Sequence, residues 1–134
     1  MNTTTTRTNG FTIIELLFII VIVGAASVLF FVQKNNLQIA GRDETRKTAI
    51  NAMYYSIEEV YFKSNNTYPR TISATVLPSV DPALFKDPTG VKIGEADSEY
   101  RYEPYNCEND RCKSYTLRTT LENEDDYVKT NRSN

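Results

Sequence analysis

The pattern of apolar and polar positions changes character along the chain. Residues 1–10 are almost wholly polar and carry one charged side chain, Arg7. From Phe11 to Val32 the chain runs for 22 residues with few polar interruptions, and from Leu16 to Val32 none is charged. As a helix that run is ~33 Å long, which matches a bilayer core of roughly 30 Å. It is apolar on all sides, so it predicts a helix that needs lipid or other helices around it. Gln33 to Lys47 is mostly polar and reads as a bridge between the apolar run and the head. Ile50, Met53, Tyr54, Ile57, Val60 and Tyr61 then fall at helical spacing, with Glu58, Glu59 and Lys63 off that stripe. Ser64-Asn65-Asn66 and then Pro69 mark the stop.

Beyond the helix the period shortens. Residues 67–99 read as an irregular connection punctuated by Pro69, Pro78, Pro82 and Pro88. Asp81-Pro82 predicts an N-cap and a short helical turn through Lys86. Asp87-Pro88-Thr89-Gly90 predicts a turn. Tyr100–Tyr105 and Ser114–Glu122 alternate as strands, around a polar hairpin loop from Asn106 to Cys112. Tyr127 and Val128 add a candidate further strand before a polar tail. The fold class expected is α+β: a long N-terminal α-helix, its hydrophobic half protruding, packed on a small antiparallel β-sheet.

Composition narrows the chemistry. The 134 residues suffice for one modest core and carry a formal charge of -2 with signs interspersed. No basic face for nucleic acid stands out. There is no His, so the commonest general base and metal ligand are missing. A Ser/His or Cys/His nucleophile pair is impossible, and an enzyme is the least favoured class. No cofactor is expected.

Glu15 separates the readings of the apolar run. A carboxylate in a membrane helix costs about 2.5–3.5 kcal/mol at mid-bilayer and less near the edge. A secretory signal peptide has a shorter core of about 7–15 residues. A plain single-span anchor has no use for the acid.

Gly10-Phe11-Thr12-Ile13-Ile14-Glu15-Leu16-Leu17 closely resembles the prepilin signature of type IV pilins and pseudopilins. The resemblance covers the leader junction and the apolar helix. It implies a leader (1–10), a hydrophobic transmembrane and filament-core helix (11–33), an amphipathic continuation (34–66), a variable loop (67–99), and a β head with a polar tail (100–134). It also implies cleavage by a prepilin peptidase after Gly10 and methylation at Phe11. Glu15 would set the filament register against the Phe11 amine of a neighbouring subunit. Ile14, Leu16, Leu17, Ile20, Val21, Gly24 and Val28 would pack the filament core. Expected partners are further copies of the chain, other pilins, the peptidase and the pilus assembly machinery. The expected location is the bacterial cytoplasmic membrane, single pass with the leader inside, then an extracellular filament serving adhesion, motility or DNA uptake.

Two features depart from the family. The leader is less basic than usual, and Lys34, Arg42, Arg46 and Lys47 come after the span. A bare Lys/Arg count would therefore reverse the topology. Many pilins also carry Pro where Val32 stands. Tyr68-Pro69 and Asp87-Pro88 followed by Tyr100-Arg101-Tyr102 resemble head motifs of pseudopilins and Gram-positive pilins.

Outside the cytoplasm Cys107 and Cys112 are expected to form a disulfide across the hairpin loop; free thiols are the alternative. Glu122, Glu124, Asp125 and Asp126 are weak candidates for calcium, against a solvated acidic turn. Arg111 and Lys113 near the hairpin tip give a weak nucleic-acid signal, offset by Glu108 and Asp110. The alternatives to a pilus subunit are a pseudopilin of a secretion or competence system, and a monomeric membrane-anchored binding module.

Overall fold

The computed structural model describes residues 10–132. The leader expected over 1–10 lies outside them except for Gly10. The fold is α+β, one long N-terminal helix and a small antiparallel sheet of four strands. The chain divides into two compact units within the first helix, one ending at Leu37 and the other starting at Gln38.

Helix α1 runs Ile13–Tyr55. The first unit is exposed from Gly10 to Leu37 and mostly apolar as far as Val32. By length and composition this helix can cross a membrane. No atom outside the helix backbone lies within 4 Å of where a Cβ on Gly24 would sit, so that glycine leaves a notch that the chain itself does not fill.

In the second unit, α1 buries Ala49, Ile50 and Met53. Next comes a π-helical stretch, Ser56–Tyr61, and then a short helix α2, Phe62–Asn65. Asn66 closes it in the left-handed conformation, φ 56°, with its amide donating to Phe62 O at 2.7 Å. The π turn alters the expected stripe. Bonding i→i+5 widens the turn and rotates every residue after it. Ile57 stays buried, but Val60 turns out to solvent and Ser56 and Glu58 turn in. Glu58, expected off the stripe, is only 6% exposed.

Four strands complete the fold: β1 (Tyr68–Pro69), β2 (Tyr100–Glu108), β3 (Arg111–Thr119) and β4 (Tyr127–Thr130). β3 is central. β2 pairs along one edge from Tyr100↔Thr119 to Glu108↔Arg111. The other edge is shared: β1 takes Arg111 and Cys112, and β4 takes Thr116 to Thr119. All pairs are antiparallel. Tyr115, Leu117 and Thr119 share one face of β3 and are buried, as period-2 alternation requires.

The strands reach further toward the hairpin than expected, leaving only Asn109-Asp110 at its tip, whereas β3 stops at Thr119 rather than at Glu122. Cys107 and Cys112 are disulfide-bonded and face each other across the ladder. The bridge is thus a rung within the sheet rather than a clasp on an open loop. The 67–99 segment is also less irregular than expected. It contributes β1 and a 3₁₀ turn, Pro82–Phe85, capped by Asp81 Oδ1 accepting from Ala83 N at 2.9 Å. It fills the core with Ile72, Leu77, Val80 and Phe85.

Candidate functional site

The residues singled out at the N-terminus share one short stretch. Gly10 and Phe11 precede α1 and are exposed. Thr12 caps the helix: its Oγ1 accepts from Glu15 N at 3.4 Å, and its carbonyl accepts from Leu16 N at 3.1 Å. Thr12-Ile13-Ile14-Glu15 has the S/T-x-x-E spacing of a capping box. That signal was available in the sequence and offers a second reason for an acid at this position. A carboxylate in a first helical turn also complements the positive end of the helix dipole.

Around Glu15 the chain provides apolar surface and no cover. Ile14, Leu16, Leu17, Ile20, Val21 and Val28 are each more than half exposed. Glu15 has no cationic partner among the described residues of its own chain within ion-pair distance. Besides favouring the helix start, a carboxylate ringed by exposed isoleucine and leucine attracts a cation supplied from elsewhere, more strongly as water is excluded.

The head unit holds two charged clusters that the sequence reading missed. The first is centred on Arg46, 2% exposed. Its Nε and Nη2 donate to the two oxygens of Glu99 at 2.7 and 3.0 Å. Its Nη1 donates to Asp43 at 2.8 Å and to Glu122 at 2.9 Å. Glu122 also takes a fork of hydrogen bonds from Arg42, at 2.6 and 2.5 Å. Asp43 in turn accepts from the backbone amides of Glu122 and Asn123. The hydrogen bonds from Arg42 and then Arg46 hold the Glu122 carboxyl down at about 2. The residues from Gln33 to Lys47 were expected to form a polar bridge, but in the second unit Asp43 and Arg46 are part of the interior.

The acidic turn is exposed from 122 to 126, and its carboxylates are partly engaged. Glu122 is bound to arginine, Glu124 to Lys47 at 2.7 Å, and Asp126 lies 3.7 Å from Arg118. Only Asp125 of the four weak calcium candidates stays outside the ion pairs among the described residues. No group of three or more His, Cys, Asp or Glu among the described residues is placed to hold a metal. At the hairpin tip, Arg111 stands directly across the ladder from Glu108.

The second cluster surrounds Glu58. Its carboxylate accepts from Tyr115 Oη at 2.8 Å, Tyr68 Oη at 3.4 Å and Arg132 N at 3.3 Å. Burial and then the bond to Glu58 push the Tyr115 hydroxyl well above the tyrosine range. Arg132 also pairs with Glu59 and donates to Tyr54 Oη. The π turn thus supplies a buried acid that pins the strands and the C-terminal segment to the helix. By contrast Tyr100, 1% exposed, has no hydrogen-bond partner for its hydroxyl among the described residues.

Comparison with models of known protein families, with characterised proteins and with solved structures returns no match to this chain.

Proposed function

We propose that the chain is a structural subunit of a type IV pilus or a related filament, held in a membrane by the first part of α1 until it assembles. One observation carries this reading: Gly10-Phe11-Thr12-Ile13-Ile14-Glu15 stands at the head of an apolar stretch of helix whose only acid lies in its first turn. Cleavage after Gly10 creates an ammonium on Phe11, beside the positive end of the α1 dipole. That placement is unfavourable alone. A neighbour's Glu15 neutralises it, and in a low dielectric an unpaired charge is costly enough to select one axial register.

The cations of the head do not oppose an orientation with the leader in the cytoplasm. Arg42, Arg46 and Lys47 are ion-paired within it. They are parts of a folded unit, and the positive-inside rule counts short flanking loops.

Glu15→Gln is the informative substitution, because Gln also serves in a capping box. It keeps the helix start and removes the charge. We expect processed protein to persist in the membrane while filaments disappear on electron microscopy of shear fractions. Wild-type filament yield from the Gln variant would sink the register mechanism. N-terminal analysis of protein from native cells tests the class, with methylated Phe11 expected and an intact Met1 overturning it.

A further inference from the structure

The connection between helix and sheet contains a cleft of about 490 Å³, within the roughly 300–1,000 Å³ span of small-molecule sites. Ile72 and Phe85 are buried at its wall, and Ala74 and Ile93 are partly buried there. Lys86 and Lys92 also line it.

The two lysines are held in an unusual relation. Lys86 and Lys92 are paired across an antiparallel bridge, which sets two like charges directly opposite each other, an arrangement that destabilises. Neither amine has a carboxylate within ion-pair distance among the described residues. Of the acids near them in sequence, exposed Glu95 makes no ion pair with either lysine among the described residues, and the other two are committed elsewhere. Asp81 caps Ala83 N, and Asp87 turns inward. The bridge cannot relax easily. Ile93 N donates to Phe85 O at 2.9 Å, and Asp87 N donates to Val91 O at 2.9 Å. The Asp87 carboxylate accepts from Thr89 N, Thr89 Oγ1, Val91 N and Glu99 N, tying the turn to the start of β2. Gly90, at φ 92°, completes the reversal. The fold therefore presents two exposed lysines, opposite each other on a held backbone bridge and without an ion-pair partner among the described residues, beside an apolar recess.

We propose that this cleft binds a small amphiphilic acid, with its apolar body against Ile72, Phe85 and Ile93 and its single carboxylate bridging Lys86 and Lys92. The anion relieves the repulsion between the lysines, so binding and the geometry of the bridge reinforce each other. The site lies wholly within the second unit and stands whether or not the chain polymerises.

The probe is 3-phenylpropanoate, with 3-phenylpropanamide as a neutral compound of equal size. The full chain in phosphatidylcholine nanodiscs, labelled at isoleucine methyls, separates the cleft from the membrane. Saturable shifts are expected at Ile72 and Ile93, with Ile50 and Ile57 unmoved. The amide should bind the wild-type protein at least about tenfold more weakly, as expected for loss of charge-assisted hydrogen bonds. K86Q/K92Q should weaken the acid by a similar factor. The proposal is overturned if Ile72 and Ile93 do not respond by about 10 mM probe, where a millimolar site would be nearly filled. Equal affinity for acid and amide also overturns it, as does an unchanged K86Q/K92Q variant. The acid–amide comparison needs no variant, so it decides the matter even if the substitutions disturb folding.

Discussion

Replacing Arg46 with Met should cost the head more than any other single charge change. The guanidinium makes four side-chain hydrogen bonds to three carboxylates. Glu99 and Glu122 keep some access to water, at 29% and 31% exposure, but Asp43 is 5% exposed and has nowhere to turn. Met restores the apolar volume of the arginine stem and leaves the Asp43 charge buried with only two backbone amides. Breaking a buried pair this way costs about 3–5 kcal/mol, a large share of the roughly 5–15 kcal/mol that a domain possesses. All nine tyrosines lie from Tyr54 to Tyr127, so near-ultraviolet circular dichroism is dominated by the head, even for the full chain in detergent. With m near 1–3 kcal/mol/M, the urea midpoint should fall by more than about 1 M. The double variant D43N/R46M should recover more than about 1 kcal/mol relative to the sum of the single losses, because Asn keeps an acceptor for the amides without the stranded charge. A midpoint within about 0.3 M of wild type, or strict additivity in the double variant, would refute the account of Arg46 as a buried counter-ion.

Two of the buried tyrosines, Tyr115 and Tyr100, give a matched contrast. Tyr115→Phe removes a donor from the Glu58 carboxylate and should destabilise by about 1.5–3 kcal/mol, whereas Tyr100→Phe removes a hydroxyl without a partner and should be neutral or stabilising. Urea titration of both variants checks this, and equal losses would contradict it. Replacing Cys107 and Cys112 together by Ser should cost about 2 kcal/mol in the chain-entropy model, read as the difference between variant and oxidised wild type. Acid should weaken the head through Glu122. Its folded value near 2 lies below its ordinary one, so the unfolded chain binds more protons. The stabilisation is complete above about pH 4.5 and is lost as pH falls toward about 2. Asp87 adds to the same trend: burial alone would raise it, but bonds from Thr89 and the amides of Glu99 and Val91 hold it down. Glu122→Gln should flatten the acid limb, and an unchanged profile would count against the arginine pairing.

What could be read from the chain alone depended on range. The apolar run, the Asp81-Pro82 cap, the Asn66 stop and the alternation of Tyr115, Leu117 and Thr119 are local patterns with local causes. The burial of Arg46 was not legible, because the charged composition over 42–47 looks solvated until Glu99 and Glu122, some fifty and eighty residues away, are brought alongside. Glu58 was misplaced for a different reason. A single π turn shifts the phase of everything after it, and Ser56–Tyr61 carries no residue that announces one. The cysteine pairing was legible as a bond but not as a rung, since strand length near a two-residue tip depends on the neighbouring β1 at Cys112.

The shared edge of β3 has a consequence for when the head can close. One half of that edge is filled by β1, which leaves the ribosome before β3 does, and the other by β4, which leaves after it. Glu122, the acid that Arg42 and Arg46 both grip, also emerges after the rest of its cluster. A chain that stops before Glu122 therefore carries both a half-paired central strand and an arginine short of one counter-ion, and one that stops before Tyr127 still lacks the β4 half of that edge. A head built this way cannot complete its fold piece by piece, and a chain truncated between Thr119 and Glu122 should be an easy target for proteases.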